Sequence, residues 1–330
     1  MKYALAVPSR LVIALCLVLP LTLTAQPYVE RDDVQSFMDR LEDRHGLDRD
    51  WLEEVLSGVE RRQSVIDAIS DPAEALPWYR YHPIFLTEER IEKGLEFWEE
   101  HEAIIRRASR EFGVDPEIIV AIIGVETYYG ERQGSDPVLD SLVTLAFDYE
   151  PRADFFRSEL EHFFLLAEEE DLDIHELKGS YAGAMGLGQF ISSSYRSYAV
   201  DFSGSGQRNL FEDPEDGIGS VANYLAEHGW RKGDLVAVPA VRRNGAEPDF
   251  SNDLERHRAA VLREAGLVFS EGVDNDARVL PIRLENEEEN EWWVGLENFR
   301  VITRYNHSPL YAMAAWELAR EISARRRATD

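Results

Sequence analysis

Cysteine is nearly missing from this chain: its 330 residues include one, Cys16. That residue lies inside an apolar N-terminal run, so the remainder can form no disulfide and offers neither a thiol nucleophile nor a thiolate ligand. Zinc signatures are absent too, since no H-E-x-x-H occurs and the eight histidines are dispersed. No G-x-S-x-G elbow is present. Positive charge is scarce, with 35 Lys and Arg against 63 Asp and Glu for a formal net charge of −28. That balance argues against nucleic acid or anionic membrane as partners, because both require basic patches. The acids are spread over most helical segments, as on a solubilising surface. A bilayer-spanning run is also lacking: the longest apolar stretch, Leu11 to Leu23, falls short of the roughly 20 residues a span needs.

What is present at the start reads as an export signal over residues 1–25. Lys2 and Arg10 precede the apolar run, and Thr24, Ala25 and Gln26 follow it. Leu15 stands before Cys16 where lipid attachment usually wants a small residue, so the reading is a soluble exported protein, with an uncleaved anchor as the plain alternative. About 300 residues remain, enough for one large domain or two closely packed ones.

Apolar residues at helical spacing predict a helical region over 26–110. It includes short blocks around Val34–Leu41, Trp51–Val59 and Val65–Ile69. In the segment Asp71–Leu86, Pro72, Pro77 and Pro83 each argue against continuous helix. Thr87 then caps one long helix that runs to Phe112 and stops at Gly113. Residues 111–234 form a second, mainly helical part, with helices predicted over Pro137–Phe147, Arg152–Glu170 and about Asp216–Gly229. Residues 235–291 mix β-branched pairs with Gly, Pro and Asn around one helix near Leu254–Ala265, which predicts a small, partly β subdomain. The acidic run Glu285–Glu291 reads as a solvated loop. Residues 292–330 return to the core, ending in a helix from Pro309 to about Ala324.

The most informative single residue is Glu126. Asp115 and Pro116 predict a helix start and Gly130 its end, which places Glu126 in the last turn but one. Ile119, Ile122 and Ile123 share its face. A carboxyl on a buried apolar face is costly to ionise, so its proton affinity should rise, as a general acid requires. A buried glutamate tied to an arginine or to backbone amides remains the plain alternative.

Downstream, Gly183, Gly186 and Gly188 allow close approach to the backbone, and Ser180, Tyr181, Gln189 and Tyr195 surround them with polar groups. That mixture suits sugar hydroxyls, and it equally suits tight helix packing. Next, Asp201, Ser203 and Ser205 match loop positions 1, 3 and 5 of an EF-hand, with Gly206 at position 6. The Gln207 carbonyl falls at position 7 and Glu212 at position 12. With so few carboxylates the match gives either a modest calcium site or a loop that folds without metal. His307 beside Asn306 could serve as a base or be a plain surface histidine. By elimination, carboxyl chemistry on a neutral polar substrate remains.

The runs IIGVETYYG, GSYAGAMGLGQFISSSYRSYAVDFSG, EDGIGSVANYLAEHGW and ITRYNHSPLYAMAAWELA resemble, in chain order, the membrane-bound lytic murein transglycosylase B type, glycoside hydrolase family 103. The resemblance implies a mainly α protein: a lysozyme-like α core in 111–234, a helical N-terminal flank and the small β subdomain. It implies cleavage of the β-1,4 bond between N-acetylmuramic acid and N-acetylglucosamine in peptidoglycan, leaving 1,6-anhydromuramoyl ends. Glu126 would act as acid and then as base. Ser180 and Asn306 would hold the sugar, Gln189, Tyr224 and Tyr305 would line the groove, and Arg152 and Tyr81 would sit at its edges. The family's calcium loop corresponds to the segment opening at Asp201. Ser205 replaces its usual acid, and a shifted register leaves Glu212 or Asp216 as the last ligand. The implied setting is the periplasm, the implied ligand peptidoglycan, and no organic cofactor is implied. The chain is expected to be a monomer, with wall-synthesis or division proteins as the open class of protein partner. A lysozyme-type hydrolase and a non-catalytic wall-binding scaffold are the rival readings; the first would yield no anhydro ends, and the second would bind sacculi without releasing muropeptides.

Overall fold

The computed structural model describes residues 26–70, 76–244, 246, 248–250 and 254–329. The export signal expected over residues 1–25 lies outside the described residues, as does Pro72. No helix among the described residues is long and apolar enough to cross a membrane.

The chain is mainly α, as expected. Its N-terminal flank holds α1 (Asp32–His45), α2 (Arg49–Ser57), α3 (Gln63–Ser70), α4 (Trp78–Phe85), α5 (Glu88–Glu100) and α6 (Glu102–Phe112). Thr87 caps α5 as predicted, its side chain accepting the Arg90 N–H. Two expectations need correction here. Pro83 lies inside α4, near the end of a helix so short that the missing N–H removes little of the ladder. The long helix expected from Thr87 to Phe112 is two, broken at His101, whose ring meets that of Phe97 edge-on with centroids 4.6 Å apart. No Gly or Pro marks that break.

The middle of the chain is built from α7 (Pro116–Thr127), α8 (Val138–Asp148), α9 (Ala153–Glu169), α10 (Ser192–Tyr198) and α11 (Pro214–Glu227). A two-residue pairing of β1 (Asp136–Pro137) with β2 (Lys178–Gly179) ties the start of α8 to the glycine-rich stretch.

The partly β segment forms a five-stranded antiparallel sheet in the order β4 (His257–Arg258), β6 (Arg278–Leu284), β7 (Glu291–Gly295), β3 (Ala237–Arg242), β5 (Leu267–Phe269). The expected helix shrinks to α12 (Ala259–Glu264). The sheet also continues past position 291, because Trp292 and Trp293 pair with both β3 and β6. Period-two alternation gives the sheet two apolar faces. Ala237, Leu280, Ile282 and Leu284 join the main helical core, while Val238, Ala240 and Val279 form a second core with Ala259 and Leu262 of α12. The chain closes with α13 (Glu297–Tyr305) and α14 (Pro309–Thr329), and α14 packs against α4, α5 and α7.

Candidate active site

The element that carries Glu126 is apolar on every side. Ile118 to Val125 and Thr127 are all buried, while Glu126 itself is half-buried. The single apolar face expected from spacing is therefore the whole circumference of α7. Asp115 occupies the N-cap, yet its carboxylate accepts from the Trp230 indole and the Gly233 N–H instead of from its own helix. The helix ends at Thr127, earlier than Gly130 suggested, so Glu126 lies in its last turn. Tyr128 and Tyr129 follow in the left-handed region, with φ of 53° and 61°, a conformation that costs a non-glycine residue about 1 kcal/mol or more. The Thr127 hydroxyl holds this end, donating to the Leu187 carbonyl at 2.9 Å and accepting from the Gly130 N–H at 3.0 Å.

Glu126 meets α14 at a residue the sequence did not single out. Tyr311 is 3 % exposed, and its hydroxyl donates to Glu126 Oε1 at 2.5 Å. Burial, followed by the neighbouring Glu126 charge, pushes the Tyr311 phenol well above its ordinary pKa, so it stays a proton donor. Tyr305 is raised in the same way by burial and then by Glu126 and Tyr224. A sequence signal for Tyr311 existed in the Ser308-Pro309 helix start, where the Ser308 hydroxyl accepts the Tyr311 N–H at 3.2 Å. That cap fixes where the first turn of α14 points its phenol.

Five of the expected residues line one cleft of about 630 Å³: Arg152, Gln189, Tyr224, Tyr305 and Asn306. His307 lines it as well, together with residues the sequence did not flag, among them Tyr198, His228 and Arg304. The Tyr305 hydroxyl donates to the Gly188 carbonyl at 2.6 Å and that of Tyr224 to the Arg304 carbonyl at 2.6 Å. Burial pushes the Tyr224 phenol up to about 12. The Gln189 side-chain amide donates to the carbonyls of Gln133 and Gly186, and Arg152 lies 4.2 Å from the centre of the Phe155 ring. None of the lining residues is Asp or Glu, although the chain contains 63 acids.

Glu126 and Ser180 are not among the walls of this cleft. Glu126 is coupled to it electrostatically through Tyr305. Ser180 sits two residues before Ala182, which lines it, and its hydroxyl oxygen accepts from the N–H groups of Ala182 and Ala184. Tyr81 corrects the expectation of a rim residue: it is 1 % exposed, packed between Trp78 and Phe85, close enough to Tyr311 to raise its pKa. The glycines behave as predicted for close packing. Gly186 needs its φ of +70°, and a Cβ at Gly188 would stand 2.8 Å from the Tyr305 hydroxyl.

In the loop after Asp201, two carboxylates gather the backbone amides. Asp201 accepts the N–H groups of Gly204, Ser205 and Gly206. Fully buried Asp216 accepts those of Phe202, Ser203 and Asn209. The Ser205 hydroxyl donates to the Gln207 carbonyl, which takes up two of the expected ligands in one bond. Glu212 is exposed, and the N-cap of α11 is Asp213. Among the described residues no group of three or more His, Cys, Asp or Glu is placed to hold a metal.

Residues 30–320 match the family model described as the transglycosylase SLT domain. The chain is 43% identical over 310 residues to membrane-bound lytic murein transglycosylase B of Escherichia coli strain K12, covering 91% of this chain and 85% of that one. Among solved structures it is similar to soluble lytic transglycosylase SltB1 of Pseudomonas aeruginosa, at 46% identity and a TM-score of 0.83, covering 89% and 99% of the two chains. It is also similar to the Escherichia coli lytic transglycosylase Slt35 solved in complex with calcium, at 44% identity and a TM-score of 0.81, covering 91% and 94%.

Proposed function

The chain belongs to the transglycosylase SLT family and is a peptidoglycan lytic transglycosylase; on that premise we propose that Glu126 is its single acid and base. The observation that carries the assignment is a pairing of two facts. The acid at the C-terminal end of an otherwise apolar stretch of α7, well away from Glu117 in the first turn, is held by a buried phenol, and the walls of the adjoining cleft contain no carboxyl. Glycosidases that deliver water or form a glycosyl-enzyme need a second carboxyl about 5–9.5 Å from the first. A substrate that brings its own nucleophile does not.

In the step that fits this arrangement, the Glu126 carboxyl gives its proton to the glycosidic oxygen as the bond from that oxygen to the muramoyl C1 breaks. The muramoyl C6 hydroxyl then forms the new C–O bond to C1, and its proton returns to Glu126. Charge in the site is unchanged over the cycle, so one residue suffices. Tyr311 holds the carboxyl in place through Oε1. Ser180, Asn306, Gln189, Tyr224 and Tyr305 bind and orient the sugars, with Arg152 at the cleft's outer part and Tyr81 supporting Tyr311 from within. The substrate is the glycan strand of peptidoglycan and the setting the periplasm.

The test is turnover of purified cell-wall sacculi, with the products read by mass spectrometry. Wild type should release muropeptides whose muramoyl ends are lighter by one water than hydrolysed ends. Glu126→Gln should release none while melting at the wild-type temperature. Hydrated ends from the wild type, or full activity in the variant, would sink the assignment.

A further inference from the structure

We propose that Arg90 is a positioning residue for Glu126: with Gly94 and Phe97 on the same face of α5, it clamps the pair Tyr128–Tyr129 that ends α7. This role rests on Glu126 being the acid and base, whereas the clamp can be observed without that assignment. Arg90 is 7 % exposed, and its guanidinium forms no ion pair among the described residues. Nη1 donates to the Ile84 carbonyl at 3.0 Å. The guanidinium carbon lies 4.8 Å from the centre of the Tyr128 ring and 5.2 Å from that of Phe85. Gly94 and Phe97 follow one and two turns later on α5. A Cβ at Gly94 would stand 2.5 Å from the Tyr129 hydroxyl, and the Phe97 and Tyr129 ring centres are 5.6 Å apart.

Packing alone does not call for an arginine here. A buried charge without a carboxylate is costly, and an apolar side chain of the same reach would fill the slot at less cost. What the guanidinium adds is direction, because its plane is rigid and its charge is attracted to the faces of rings. The rings it meets are ones that need holding. Tyr128 and Tyr129 have φ of 53° and 61°, a backbone conformation that the surrounding structure has to enforce. Relaxation of that pair would turn the last turn of α7 and carry the Glu126 carboxyl with it. A second route leads to the same place: the Phe85 ring centre lies 5.0 Å from that of Tyr81, which neighbours Tyr311. Both supports of Glu126, its own chain and the phenol on Oε1, thus meet at Arg90. The cation also stands at the C-terminal end of α7, where the helix dipole is negative.

Arg90→Met keeps the reach and removes the charge. On soluble, uncrosslinked glycan strands its rate at saturation should fall by about tenfold to a hundredfold, the effect of moving a catalytic group by up to about 1 Å. The half-saturating concentration should hardly change, because the residues lining the cleft lie on other elements. Hydrogen exchange of the amides of residues 128–132 should quicken in the same variant, while that of the β3–β7 pairing stays as in the wild type. Arg90→Lys returns a charge to the rings and should recover part of both losses. Where Arg90→Met does not fold, Tyr128→Leu removes the ring on which the charge rests and carries the same expectations. A wild-type rate at saturation, a loss confined to half-saturation, or an Arg90→Lys no better than Arg90→Met would each overturn the role. Activity retained by Glu126→Gln would sink the assignment of the acid instead, and the exchange rates would still decide the clamp.

Discussion

The Tyr311 hydroxyl donates to Oε1 of Glu126 across 185 positions of sequence, joining the start of α14 to the last turn of α7. A hydrogen bond to a charged group contributes about 1.5–3 kcal/mol, which corresponds to roughly tenfold to a hundredfold in rate if it acts in the transition state. Tyr311→Phe removes the donor and keeps the ring. Its turnover of sacculi should fall by about that factor, while its unfolding midpoint changes little. Unchanged turnover would make the contact a packing detail.

Gly188 and Tyr305 make a second prediction. Adding a methyl at Gly188 brings it to 2.8 Å from the Tyr305 hydroxyl and 2.9 Å from Val221 Cγ2. Overpacking of this kind costs about 1–3 kcal/mol. Tyr305 would have to leave the Gly188 carbonyl and move within the cleft, and a displacement near 1 Å can cost about a hundredfold. Gly188→Ala should therefore lose both stability and activity. Gly229→Ala, at a position where a Cβ meets nothing but φ is +91°, should lose stability alone.

Much of this arrangement was legible in the sequence because it is local. The Asp115-Pro116 and Thr87 helix starts, the closely packed glycines and the β-branched pairs of the sheet each follow from a few neighbouring residues. Glu126 stood out for the same reason. Contacts made across the chain were not legible. Nothing in the spacing of Tyr81 distinguishes a groove edge from a core, since aromatic residues serve both, and only the packing of α14 against α4 buries it. Tyr311 lay in a quoted motif, but its partner is on another helix. The Asp201 loop matched a spacing template well enough to suggest ligands. Spacing does not say that Asp201 and Asp216 also accept backbone amides, which only the folded loop brings to them.

The N-terminal flank supplies the pH prediction. Asp148, at the end of α8, accepts from the Tyr28 hydroxyl at 2.6 Å, from Arg31 at 2.6 Å and from Arg61 at 2.9 Å. Burial pulls its pKa up, but Tyr28 and Arg31 outweigh that and hold it below the usual carboxylate range. A carboxyl depressed by folding stabilises the fold at every pH above its unfolded value, near 3.9. That contribution drains away as pH falls through the lower, folded value. Asp148→Asn should thus cost about 1–3 kcal/mol at neutral pH, because the charge is lost and an amide NH2 replaces one of the two oxygens that accept from Arg31 and Tyr28. Urea midpoints of wild type and variant, taken from pH 7 downward, should differ by a constant amount to about pH 4 and converge below it. A gap that persists at pH 2 would mean that the aspartate contributes through packing, since its charge would then be gone and its shape would remain.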